Sequence, residues 1–155
     1  VYLWLISFRG WSSRLMEYEM PKTLKLQIVT PEGIIFSDDV EMVGLRAAQG
    51  QIGILPQHIR LMTQMLPGEM FVRKDGHDQF LAVGEGFVEV TGHSVAIATD
   101  MAIAVENIDE EKAEEARQRA QARLRDKISD EEVATVNASL ARSLAQLHVK
   151  RRRRH

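Results

Sequence analysis

The chain has 155 residues, 45% of them hydrophobic, and a formal net charge of −2. That is enough apolar material for one sizeable domain with an appendage, and the charge gives no general attraction to nucleic acid. There is no cysteine, which excludes disulfide frameworks, thiolate zinc sites and cysteine nucleophiles and fits a reducing compartment.

Val1 to Tyr18 differs in character from the rest of the chain: an apolar aromatic run, then Arg9, Arg14 and several serines, with no acid before Glu17. The run is too short to span a bilayer; its basic, serine-containing character has the flavour of an organellar transit peptide, but an upstream extension from start-site choice is the better reading. Met20-Pro21-Lys22 would make a natural start before the first clear strand. Residues 1–22 are therefore expected to be an extension outside the fold.

From Thr23 to about Ala104 apolar residues alternate with polar ones, as in Leu24-Lys25-Leu26-Gln27-Ile28 and Val88-Glu89-Val90, the pattern of half-buried strands. Pro31-Glu32-Gly33 suits a tight turn before Ile34-Ile35-Phe36, and Ser37-Asp38-Asp39 closes that run before Val40 to Leu45. Leu66-Pro67-Gly68, Lys74-Asp75-Gly76 and Thr91-Gly92-His93 separate Met70-Phe71-Val72, Phe80 to Val83, Phe87 to Val90 and Val95 to Ala98. Asp75-Gly76 between apolar runs is a hairpin signal. Turns this frequent leave no room for crossover helices, so a sandwich or flattened barrel is favoured over a parallel sheet.

The period changes near Ile108-Asp109. Asn107 or Asp109 can cap a helix whose first turn holds Glu110 and Glu111 and whose end carries Arg123, Arg125 and Lys127, matching the helix dipole. Its inward stripe is Ala113, Ala116, Ala120 and Leu124. Ser129-Asp130-Glu131-Glu132 is a capping box that starts a second helix, with Val133, Val136, Leu140, Leu144 and Leu147 on one face. An alanine face buries little, so this hairpin is marginal alone and its leucine stripe has several places to pack. No acid follows Glu132, whereas Arg142 and Lys150 to Arg154 make a cationic end. The expected class is α+β: an N-terminal antiparallel β-sandwich or flattened barrel over 23–106, a C-terminal antiparallel helical hairpin over 107–150, and a basic tail over 151–155.

Catalytic constellations are missing from the sequence. There is no G-x-x-x-x-G-K-[ST] and no H-E-x-x-H, Gly84-Glu85-Gly86 suits a bulge or bend, and Asp38-Asp39 suits a turn. The five histidines, His58, His77, His93, His148 and His155, are scattered, and no metal site is expected.

One segment is particular: Gly50-Gln51-Ile52-Gly53-Ile54-Leu55-Pro56-Gln57-His58, followed by Leu61-Met62-Thr63 and Pro67-Gly68. With Ile28 to Gly33, Leu81 to Val90, Ile108-Asp109 and Ala141 to Leu147, it resembles the epsilon subunit of rotary ATP synthases from about Leu24 to Val149. The resemblance implies a non-catalytic central-stalk subunit that links gamma and the c-ring of a proton-translocating ATP synthase. In many bacterial members the hairpin also extends into the catalytic head and inhibits ATP hydrolysis. Its partners would be gamma, the c-ring and the alpha and beta catalytic subunits, with no nucleic acid. It would be peripheral on the cytoplasmic face of a bacterial plasma membrane, attached through the complex, or alternatively on an organellar inner membrane.

Site residues follow from the same resemblance. Gly50, Gln51, Ile52, Gly53 and His58 fall in the loop expected to face the c-ring and gamma. Arg142, Lys150 and Arg151 would contact the catalytic head by charge pairing. Some members bind ATP through an Ile/Leu-Asp-x-x-Arg-Ala motif and arginines on both helices, which carries over to Ile108, Asp109, Lys112, Ala113, Arg119 and Arg142. Lys112 stands in place of the motif arginine and Gln146 in place of a further one, and lysine lacks the planar fork. Regulatory ATP binding is expected to be weak or absent, with no other cofactor. The alternative function is a stand-alone ATP-sensing module. A carbohydrate- or peptide-binding sandwich would need exposed aromatics near the loops, and Phe71, Phe80 and Phe87 read instead as strand residues.

Overall fold

A computed structural model describes residues 22–154. The extension expected over residues 1–22 lies outside the described residues, apart from Lys22 at its end. The N-terminal half is built of β1 (Leu24–Thr30), β2 (Gly33–Val40), β3 (Met42–Ala47), β4 (Gly50–Ile54), β5 (Leu61–Met65), β6 (Gly68–Lys74), β7 (His77–Val83), β8 (Gly86–Val90), β9 (Ser94–Thr99) and β10 (Ala102–Ala104). A 3-10 turn at Val105–Asn107 leads to α1 (Glu110–Arg125) and α2 (Asp130–Arg152).

The strands run β10-β7-β6-β3-β5-β8-β9-β1-β2, with β4 against β3. β3 joins two layers, because Met42 to Gly44 pair with β6 while Ala47 pairs with Met65 of β5. Pairing is antiparallel except that β1 and β9 are parallel, Leu26 lying opposite Val95 and Ile28 opposite Ile97. The two-residue alternation has its physical counterpart in β1, where Leu24, Leu26, Ile28 and Thr30 are buried and the residues between them are not. Between the layers Leu26, Ile28, Leu45, Ile54, Met65, Met70 and Ile97 are among the fully buried side chains.

Turn chemistry sets the register. Asp75 and Gly76 both have positive φ, 51° and 73°, and connect β6 to β7 with Lys74 opposite His77, the geometry in which a two-residue turn matches strand twist. Ser37-Asp38-Asp39 does not end its strand: β2 continues to Val40, with Asp39 opposite Lys25. β2 is the last strand in the order, and an exposed edge tolerates, and is guarded by, such charges.

Asp109, not Asn107, caps α1 and accepts from the Lys112 amide at 3.2 Å. The capping box on α2 is complete, Ser129 accepting from the Glu132 amide and Glu132 accepting from the Ser129 amide. α2 is the arm that lies on the sandwich. It packs on β6 and β7, and α1 packs on α2. A second apolar cluster forms there from Ala82, Met101, Ile108, Ala145 and Val149. Leu144 departs from the expected single stripe and is 46% exposed, because α2 serves two surfaces. Ala145 and Val149 turn to the sandwich and Leu147 and Ser143 are buried, which moves Leu144 to the margin. The helix also continues through Arg151 and Arg152, into the stretch read as a basic tail.

Candidate functional site

The junction between the two halves is where the candidate nucleotide residues can be compared. Ile108 is buried against Ala82, Met101, Ala145 and Val149, so it wedges the start of α1 into the interface between α2 and the sandwich. Asp109 spends its carboxylate on the helix cap, and the Lys112 amide bonded to it holds that carboxyl below the usual range. The Lys112 side chain is 83% exposed and lies 3.4 Å from Asp109. Ala113 is buried. Arg119 lines a groove of about 380 Å³ between the arms with Ala116, Ala120, Arg123, Thr135 and Val136. Arg142 is elsewhere, donating from Nη1 to Asp100 of the sandwich at 2.8 Å. Lys112, Arg119 and Arg142 therefore do not converge on one cavity in this arrangement.

The cations at the end of α2 and just beyond it are engaged with the protein's own surface. Lys150 donates to the Val105 carbonyl at 2.9 Å, and Arg151 pairs with Glu110 at 3.1 Å and Glu114 at 3.4 Å. Arg153 clasps Glu69 through Nε and Nη2 at 2.9 and 2.6 Å and stacks its guanidinium 3.5 Å above the Phe80 ring. Arg154 reaches Glu110 at 2.5 Å. The basic segment is thus held by specific partners through Arg154. Gln146, at the position of the second missing arginine, donates to the Met101 sulfur at 3.0 Å.

The Gly50 to His58 segment is not a loop throughout. Gly50, Gln51, Ile52 and Gly53 lie in β4 and pair with Ala47, Arg46, Leu45 and Gly44. The turn proper is Leu55 to His58, closed by the His58 amide to the Leu55 carbonyl at 3.1 Å, with Gln57 at φ 65°. Leu55 and Ile59 are exposed beside it, and His58 Nδ1 lies 2.8 Å from the Ile59 carbonyl.

A surface that sequence reasoning misses lies on the layer away from the hairpin. Register places Ile34 beside Val29, Val29 beside Ala98, and Ala98 beside Phe87, an outward row crossing four strands. Phe87 is 64% exposed, and Met62, opposite Glu89 on the next strand, is 72% exposed. Phe87 is a strand residue as expected, but it faces outward. The sequence does carry a signal for this: in Gly86-Phe87-Val88-Glu89-Val90, Phe87 shares the parity of Glu89. Among the described residues no group of three or more His, Cys, Asp or Glu is arranged to hold a metal, and no helix is long and apolar enough to cross a membrane.

This division into sandwich and hairpin coincides with two family models: the ATP synthase delta/epsilon chain beta-sandwich domain matches residues 23–105, and the corresponding long alpha-helix domain matches 106–151. The chain belongs to the ATP synthase delta/epsilon family. It is 45% identical to the ATP synthase epsilon chain of Bacillus subtilis over 112 residues, 72% of this chain and 85% of the relative. It is 38% identical to that of Herpetosiphon aurantiacus over 132 residues, 85% of this chain and 97% of the relative. A chain in the Euglena gracilis mitochondrial ATP synthase (OSCP/F1/c-ring) shares the fold at TM-score 0.66 and 24% identity, covering 96% of this chain and 91% of that one. A chain in the Tetrahymena thermophila mitochondrial ATP synthase central stalk and c-ring does so at TM-score 0.59 and 11% identity, covering 84% of this chain and 97% of that one. As a member of this family, the protein is a non-catalytic subunit of its complex.

Proposed function

We propose that the protein is a rotor subunit of a proton-translocating ATP synthase, binding gamma through its sandwich and reaching the c-ring loops through the Gly50 to His58 segment. The observation that carries this is the outward apolar row Ile34, Val29, Ala98 and Phe87, with Met62 beside it. A monomer gains nothing by exposing such a row, whereas a subunit buried in an assembly does. The turn at Gln57 and His58, with exposed Leu55 and Ile59 beside it, offers the apolar tip expected of a contact with the c-ring. Affinity purification of the tagged full chain from its host is expected to recover gamma, the c-ring and the alpha and beta subunits. Recovery of none of them under conditions that preserve the complex would overturn the proposal.

The hairpin adds inhibition of ATP hydrolysis when it leaves the sandwich and extends into the catalytic head. The support is energetic: its docking patch is small and partly alanine, while Arg142, Lys150 and Arg151 could re-pair with acidic segments there. ATP binds weakly or not at all, because Arg142 is occupied by Asp100 and Lys112 stays in solvent against Asp109. Titration calorimetry with the isolated chain tests this, and micromolar affinity would favour the ATP-sensing alternative. The Bacillus subtilis and Herpetosiphon aurantiacus relatives are bacterial, which supports the cytoplasmic face of a bacterial plasma membrane as its location.

A further inference from the structure

The apolar contact between hairpin and sandwich is modest: of the five buried residues in its cluster, with Ile103 and Val105 packed against them, Ala82 and Ala145 contribute only a methyl each. Its polar contacts are more selective. Arg142 on α2 and Arg153 at its C-cap, eleven positions and so about three turns apart, each meet one sandwich carboxylate distant in sequence. Glu69 is 14% exposed at its side chain and takes both nitrogens of the Arg153 fork. Asp100 lies against Gly84, where no β-carbon would fit, gives Oδ2 to Arg142, and keeps Oδ1 buried without a hydrogen-bond partner among the described residues.

The geometry points to an ionic latch in which Asp100 and Glu69 act as built-in anionic ligands for Arg142 and Arg153, so that the hairpin docks without a nucleotide. This rests on the proposed role of the hairpin as a mobile inhibitor. An arginine satisfied by a sandwich carboxylate is not available to an acidic segment of a catalytic head, so the docked and head-bound arrangements exclude one another. The chemistry of the latch also makes it reversible. Both ion pairs are part-exposed, and pairs of that kind contribute little net energy in water, so the latch can open.

The test uses the full chain, whose lack of cysteine allows a dye pair to be placed uniquely at His93→Cys and Asn137→Cys, both exposed in the structure. Energy transfer is expected to report a docked hairpin that ATP does not change. Raising salt from about 0.1 M to about 1 M, which shortens the screening length from about 10 Å to about 3 Å, is expected to release part of the population. Asp100→Asn and Glu69→Gln should each raise the undocked-to-docked ratio about three- to tenfold, and the pair together should flatten the salt response. Arg142→Gln and Arg153→Gln, which leave the sandwich untouched, should reproduce this. Docking that is identical in all four variants and at both salt levels, or a parent chain that docks only when ATP is added, overturns the latch. The rotor reading fails separately, through loss of gamma from the purified assembly, whatever the dyes report.

Discussion

Gly84 lies directly against the carboxylate of Asp100, and any side chain there would collide with Oδ1. Gly84 has no unusual φ to explain it, so the glycine is present for close approach and not for backbone freedom. Gly84→Ala should displace Asp100 and with it Arg142, costing roughly 1 to 3 kcal/mol as overpacking typically does. Denaturant unfolding would show the loss, and hydrogen exchange would place it first in α2. Unchanged protection of α2 would mean that Asp100 does not position the helix.

At Gln57 the backbone stands at φ 65° within the turn closed by Leu55 and His58. A side chain in that region costs about 1 to 2 kcal/mol, which glycine avoids at some cost in unfolded-chain entropy. Gln57→Gly is therefore expected to stabilise the protein by up to about 1 kcal/mol, seen as a higher denaturation midpoint with an unaltered slope. Gln57→Val should do the reverse.

Ile108 separates docking from folding. It is buried in the cluster with Ala145 and Val149, outside the main core between the sheets. Ile108→Ala removes a side chain whose truncation in a well-packed site typically costs about 2 to 5 kcal/mol. The expected result is a hairpin that exchanges its amide protons freely while the sandwich keeps its own protection. Simultaneous loss of both would show that the two halves unfold as one.

The sequence makes the element types readable where a local rule determines them. Asp75-Gly76 demands a two-residue hairpin, Ser129 to Glu132 satisfies its own helix end, and the switch of period at Ile108 marks the join. Other features depend on contacts that no local pattern carries. The parallel pairing of β1 with β9 brings together residues about seventy apart, and nothing in either strand alone names its neighbour. Asp100 and Glu69 are invisible as latch residues for the same reason, each acting through an arginine on α2 or at its C-cap. Leu144 escapes the expected stripe because a single helical stripe assumes one buried face, while α2 contacts both α1 and the sandwich.

Acid should loosen the hairpin from its ends. The Ser129 amide, with Arg123, holds the Glu132 carboxyl below its ordinary value, and the Lys112 amide does the same for Asp109. A carboxyl depressed on folding contributes stability at pH above its unfolded value and loses it as pH falls through the folded one. Helical content by circular dichroism is thus expected to be flat near neutrality and to fall below about pH 4. Glu132→Gln should lower helix stability at neutral pH and shrink the acid transition. Lys74, held above its ordinary value by Asp38, has the opposite sign and loses its contribution only at alkaline pH.

Phe87 offers the sharpest separation of assembly from folding. Its ring stands in solvent on β8, between Ala98 on one neighbouring strand and Gln64 on the other, while Val88 and Val90 of the same strand fill the core. Phe87→Asp removes apolar surface from the outside only, so the thermal midpoint should move little, as surface changes usually do. At the proposed interface with gamma the same change would bury a charge against an apolar partner, which is costly unless the charge is paired. Recovery of gamma with the tagged variant is accordingly expected to fall at least tenfold, with His77→Asp, exposed at the β6–β7 turn of the other layer, as the control that leaves recovery intact. Equal recovery with Phe87→Asp and with the parent chain would remove the apolar row from the interface.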